Sequence, residues 1–157
     1  SFHLKEKRIS GAILDVWEEE PNINTTLLSQ VMIGTPHIAG YSQDGKANAT
    51  TQVVRGLGHF FEIEPLKNFS LELESKTLDI EPEVEDDVQF LRSIYKKIYD
   101  IERDSLLLKN APLLFESFRK NYPIRREAKA YKIKTTIKNQ SRRIILQKLG
   151  FNLFVDE

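Results

Sequence analysis

The chain has 157 residues, with 23 basic and 23 acidic side chains and a formal net charge of zero. At 40% hydrophobic and 29% charged it is too apolar and too balanced for intrinsic disorder, and it is long enough for a sizeable core in one domain or two small ones. The absence of cysteine excludes a disulfide scaffold, a thiolate metal centre and a cysteine nucleophile, and no metal site is expected.

No apolar run approaches the roughly 18 residues of a membrane helix, and SFHLKEKRIS lacks a signal h-region. A soluble protein is expected. The chain begins at Ser1, which fits a processed or partial sequence.

In chain order, Phe2 to Arg8 reads as the end of a helix. The apolar run from Ala12 to Trp17, bounded by Gly11 and the acidic loop Glu18-Glu19-Glu20-Pro21, fits a fully buried strand of a parallel sheet. Asn24 is placed to cap a short helix over Thr25–Gln30, and Val31 to Ile33 reads as the next strand. Strand, loop, helix, strand is α/β grammar. A long helix follows from Gln43 or Asp44 to about Glu62, with Ala47, Val54, Leu57, Phe60 and Phe61 near helical spacing.

Pro65 to Asn68 marks a boundary. Beyond it, Leu71/Leu73 and Thr77 to Ile80 alternate like strands, and a helix fits Val84 to Tyr99. Pro112 opens a short helix reaching Tyr122. Ala130 to Ile137 alternates as a half-buried strand, Ser141 to Leu149 reads as a helix stopped by Gly150, and Phe151 to Val155 as a last strand. This second half is an α+β module.

His37 is the histidine that invites chemistry, because it lies in a Gly- and Pro-containing turn directly after a strand, where open α/β sheets bind ligands. Asp15, Glu18, Glu19 and Glu20 follow the preceding strand. Parallel strands would bring both loops to one edge, and a carboxylate there would orient the imidazole. The competing reading is a solvated acidic loop with an incidental histidine. His3 and His59 read as surface residues.

The runs GAILDVWEEEP and GTPHIAGYS resemble the C-terminal signature of the D-isomer-specific 2-hydroxyacid dehydrogenases. The longer stretch through GKA and TTQV resembles the branch that acts on 4-phosphoerythronate in vitamin B6 synthesis. FESFRKNYPIRRE and KLGFN resemble that branch's dimerisation domain. The resemblance implies the end of a Rossmann-type parallel-sheet NAD-binding domain with its connecting helix over 1–62, and a small α+β dimerisation domain over 63–157. It implies His37 as general acid/base, Glu20 as its partner, Asp15 and Gly40 against the nicotinamide end of NAD, and Tyr41 on a phosphorylated hydroxyacid substrate. A homodimer through 63–157 is implied, with no nucleic-acid or membrane partner.

Two departures point to a C-terminal piece of a longer enzyme, inactive alone. There is no Gly-x-Gly-x-x-Gly, since Gly56-Leu57-Gly58 sits in a helical pattern without a preceding strand. The family's carboxylate-binding arginine would also fall before Ser1. The alternatives are a dehydrogenase for another phosphorylated acid such as 3-phosphoglycerate, or a non-catalytic dimerisation or anion-binding module.

Charge is unevenly spread: residues 62–104 carry a local −7 and residues 119–148 a local +10, with Glu127 the single acid of the latter. Arg119, Arg125 and Arg126 are candidates for a substrate phosphate, with Lys46 at a helix start, because arginine recognises phosphate in bidentate fashion. The alternative is a solvated face that balances the acidic segment within the fold or across a dimer.

Overall fold

The computed structural model describes residues 1–80, 86–134, 137 and 139–154. Its first elements are α1 (Phe2–Lys5), β1 (Ile13–Leu14), α2 (Thr25–Gln30), β2 (Ile33–Gly34), α3 (Gln43–Phe60) and α4 (Glu64–Lys67). Then come β3 (Lys76–Leu78), α5 (Asp87–Ile98), α6 (Ile101–Asn110), α7 (Phe115–Lys120), β4 (Tyr131–Lys134), α8 (Gln140–Lys148) and β5 (Asn152–Phe154). The architecture is α/β with parallel strand pairing throughout the named strands.

The chain forms two compact units, Ser1–Tyr41 with Tyr99–Pro123, and Ser42–Ile98 with Ile124–Glu157. This grouping interleaves along the sequence and crosses the single 62/63 boundary drawn above. The reason is packing: α3 lies against α4, whereas α6 lies against β2 and α2.

In the first unit, β1 and β2 pair in parallel with Ile13 opposite Ile33 and Leu14 opposite Gly34. Asn24 caps α2 as its sequence position implies, its side-chain oxygen accepting the Leu27 N–H at 2.9 Å. Trp17, Ile23, Leu28 and Val31 meet Leu108 and Phe115 in one core. Helix α6, missed in the sequence, is joined to β2 where the Gly34 N–H donates to Ser105 Oγ at 3.1 Å.

The strand expected over Ala12–Trp17 is corrected to a two-residue ladder. Ile13 and Val16 are 63% and 62% exposed, and only Trp17 of the run is buried. β1 has a single described neighbour, so the run is not covered on both faces. Val31 closes α2 and enters the core, which delays the second strand to Ile33.

In the second unit the sheet order is β3-β4-β5. Every pairing is parallel, with Leu78 opposite Ile133 and Ile133 opposite Leu153, so the expected α+β module follows α/β grammar in its strands. The core combines Leu78, Phe90, Ile94, Ile133, Ile137, Leu146 and Phe151. Gly150, at φ +93°, ends α8 in the left-handed region that favours glycine. No strand forms at Leu71/Leu73. Val84, Thr135, Thr136 and Val155, placed in elements by the sequence, lie outside the described residues.

Ser42 caps α3, accepting the Gly45 N–H at 2.8 Å while its hydroxyl donates to Glu127 at 2.6 Å. Only Ala47 of the expected apolar stripe is buried; Leu57, Phe60 and Phe61 are 46%, 79% and 61% exposed. Among the described residues an ion pair joins the acidic and basic segments, with Arg142 Nε donating to Asp87 at 2.7 Å. No described helix is long and apolar enough to cross a membrane.

Candidate active site

Parallel pairing of β1 and β2 sends the chain after each strand to the same edge, and two of the side chains singled out in the sequence meet there. His37 Nδ1 lies 2.9 Å from Glu20 Oε2. A carboxylate only accepts, so in this bond Nδ1 is the donor, which leaves Nε2 as the ring nitrogen that faces a reacting group. Glu20 is fixed through its other oxygen, which accepts the Trp17 N–H at 2.9 Å. The indole N–H of buried Trp17 in turn donates to Thr35 O at 2.8 Å, tying the acidic loop to the histidine turn.

Asp15 organises that turn. Its Oδ1 accepts the Thr35 hydroxyl at 2.7 Å and the Ile38 N–H at 2.8 Å, and its Oδ2 accepts the Ala39 N–H at 3.0 Å. These bonds hold His37 at φ +56°, an uncommon backbone state for a side-chain-bearing residue and one found at functional sites. Burial opposes ionisation of Glu20. The hydrogen bonds from His37 and Trp17 and the nearby charges of His37 and Arg119 outweigh it, holding the carboxyl below its ordinary value. Glu20 is 19% exposed and His37 45%, so the carboxylate is sheltered while the ring can be reached.

Arg119, from α7, reaches the same turn. Its Nε donates to the His37 carbonyl at 3.4 Å, and its guanidinium lies 5.6 Å from the Tyr41 ring centroid. Tyr122 meets Tyr41 edge-on at 6.1 Å and anchors itself by donating to Asp104 at 2.6 Å. A cavity of about 250 Å³, lined by Pro36, Leu107, Phe118 and Tyr122 among others, borders the turn.

Of the residues singled out in the sequence, His37, Glu20, Asp15, Gly40 and Tyr41 fall in one compact unit. His3 and His59 are exposed, as expected. Arg125 and Arg126 belong to the other unit. Arg126, a candidate for the substrate phosphate in the sequence, is a buried cation in the fold. At 5% exposure, it donates to both oxygens of Asp44 at 2.9 and 3.1 Å and to Glu74 O at 2.7 Å, so its fork is committed. Arg125 is half-buried, and its carbonyl accepts the Gln43 N–H at 2.8 Å. Thr35, Trp17 and Tyr122 were not foreseen as supports; the run TPH after a strand was the only local signal for Thr35.

The assembly is that of a parallel α/β protein with an oriented acid–histidine pair on its loops. Residues 72–150 match the family described as "Domain of unknown function (DUF3410)", and the chain belongs to that family. It is also similar to proteins named erythronate-4-phosphate dehydrogenase. The Bacteroides thetaiotaomicron protein is 46% identical over 125 residues, which is 80% of this chain and 34% of that protein. The Bacteroides fragilis protein is 45% identical over 133 residues, covering 85% and 36%. The Escherichia coli protein is 37% identical over 159 residues, covering 95% and 40%. The chain thus spans between about a third and two fifths of the length of these curated relatives.

Proposed function

We propose that this chain is the C-terminal part of an NAD-dependent dehydrogenase that oxidises 4-phospho-D-erythronate to its 2-oxo acid in pyridoxal 5'-phosphate (vitamin B6) synthesis. The observation that carries this reading is the His37–Glu20 pair at 2.9 Å, in a chain whose relatives bear that enzyme's name. Oxidation of a secondary alcohol removes a hydride from carbon and a proton from oxygen. The lone pair on His37 Nε2 takes the hydroxyl proton, and Glu20 stabilises the imidazolium that forms. NAD, when bound, supplies the hydride acceptor.

The residues present fit the nicotinamide end of that cofactor. Asp15 Oδ2 accepts one described hydrogen bond and has capacity for an amide donor. Gly40 faces open space where a side chain would stand, with no atom within 4 Å of an added Cβ. The sequence holds no Gly-x-Gly-x-x-Gly, so the pyrophosphate falls to residues outside it.

In the whole protein, residues 1–62 complete the NAD-binding domain and its connecting helix, and residues 63–157 form a homodimerisation domain. Tyr41 contacts the substrate. The enzyme works in the cytoplasm on a small phosphorylated acid, without nucleic acid or membrane.

The test is NADH formation by the full-length protein. Turnover on 4-phosphoerythronate well above that on 3-phosphoglycerate is the expected result. The reverse order would change the substrate, and no turnover on either would favour a non-catalytic dimerisation or anion-binding module.

A further inference from the structure

The acid–histidine site stands in a strongly acidic setting. Asp15, Glu18, Glu19 and Glu20 crowd the loop that supplies the carboxylate partner. A hydroxyacid brings at least one more negative charge, which needs a compensating cation in a partly desolvated site. Arg119 supplies one within the same compact unit, through the His37 carbonyl contact and the Tyr41 ring.

Besides the charge it shares with Glu20, Arg119 has a weak and exchangeable carboxylate contact on its own helix. Arg119 Nη1 lies 3.6 Å from Glu116 one turn away on α7, and the glutamate side chain is 66% exposed. Such pairs contribute little, whereas a bidentate oxyanion on a guanidinium fork is a strong interaction. The Tyr41 face below the guanidinium holds its plane without using its N–H groups. Arg119 is 24% exposed, sheltered enough to strengthen an ion pair and open enough to be reached.

We propose that Arg119 is an oxyanion-binding residue of this site, its guanidinium taking a substrate carboxylate or phosphate while Tyr41 supports its plane. The proposal rests on the reading of His37 and Glu20 as the acid/base pair of a hydroxyacid dehydrogenase.

The test uses the full-length protein that carries this sequence. Binding of inorganic phosphate and of oxalate is measured by titration calorimetry for wild type, Arg119→Ala, Arg119→Lys and the exposed control Lys120→Ala. Arg119→Ala should weaken at least one anion about 10- to 100-fold. Arg119→Lys should fall between, and Lys120→Ala should match wild type. Loss of phosphate alone identifies a phosphate subsite, and loss of oxalate alone a carboxylate subsite. In turnover, KM for the hydroxyacid should rise by a similar factor with kcat within about threefold.

Unchanged binding of both anions in a folded Arg119→Ala protein overturns the proposal. So does a fall in kcat with unchanged KM, which would make Arg119 a positioning residue for His37. If the wild type turns over no hydroxyacid yet Arg119→Ala loses anion binding, the dehydrogenase reading fails and the anion site stands. If turnover is present and neither binding nor KM moves, Arg119 alone is misassigned.

Discussion

Glu20 uses its two carboxylate oxygens for different tasks: Oε2 lies 2.9 Å from His37 Nδ1 and Oε1 accepts the Trp17 N–H at 2.9 Å. The second bond fixes the carboxylate before it can fix the histidine. Glu20→Gln keeps the shape but removes the charge that stabilises an imidazolium. On the proposed dehydrogenase reading, kcat of the full-length protein should fall about 10- to 100-fold, with NAD affinity within about threefold of wild type, measured by steady-state kinetics and cofactor titration.

Asp15 should act on the turn before it acts on any ligand. Asp15→Ala removes the acceptor for the Thr35 hydroxyl and the Ile38 and Ala39 amides. The half-exposed site sets the loss at about 2 kcal/mol. Amide hydrogen exchange should accelerate at Ile38 and Ala39, and NAD affinity should drop with it. Unchanged exchange at both amides would mean that Asp15 does not hold the turn.

Arg126 and Asp44 form a pair, each side chain 5% exposed, and removing one partner strands the other's charge. Arg126→Ala should cost about 3–5 kcal/mol in thermal or denaturant unfolding. Burial opposes ionisation of Asp44, but hydrogen bonds from Arg126 and the Glu127 amide hold its carboxyl below the ordinary range. A depressed carboxylate contributes stability that is full above its unfolded pKa and is lost as pH falls through the folded one. The wild-type Tm should therefore drop as the medium is acidified below about pH 4, and Asp44→Asn, already weaker, should change less there.

Two helical glycines of α3 should respond oppositely to alanine. A Cβ on Gly56 meets nothing within 4 Å, so Gly56→Ala should stabilise by up to about 1 kcal/mol through helix propensity. A Cβ on Gly58 would lie 2.7 Å from the backbone of Leu66 and Lys67, where α4 crosses closely. Gly58→Ala should destabilise by about 1–3 kcal/mol, measured as a shift in denaturant midpoint.

Features set by adjacent residues were legible in the sequence. Asn24 before α2, Gly150 after α8 and the alternation around Ile133 each encode their own geometry, and the TPHIAG turn pointed to His37. Features set by distant packing were not. Helix α6 lacks a clear apolar stripe, because Ser105 is buried to accept the Gly34 amide and Leu108 is buried in the core. The arginines show the same limit. Arg119, Arg125 and Arg126 sit in one basic tract, yet one reaches the histidine turn, and another is consumed by Asp44. Charge counting sees the tract, and only the fold sorts its members.

In the proposed reaction His37 moves the hydroxyl proton while Glu20 orients it. The direct measurement is kcat together with NAD affinity for His37→Ala in the full-length protein with 4-phosphoerythronate. kcat should fall about 10²- to 10⁴-fold, with NAD affinity within about threefold of wild type. A His37→Ala enzyme with wild-type kcat would contradict this role for His37.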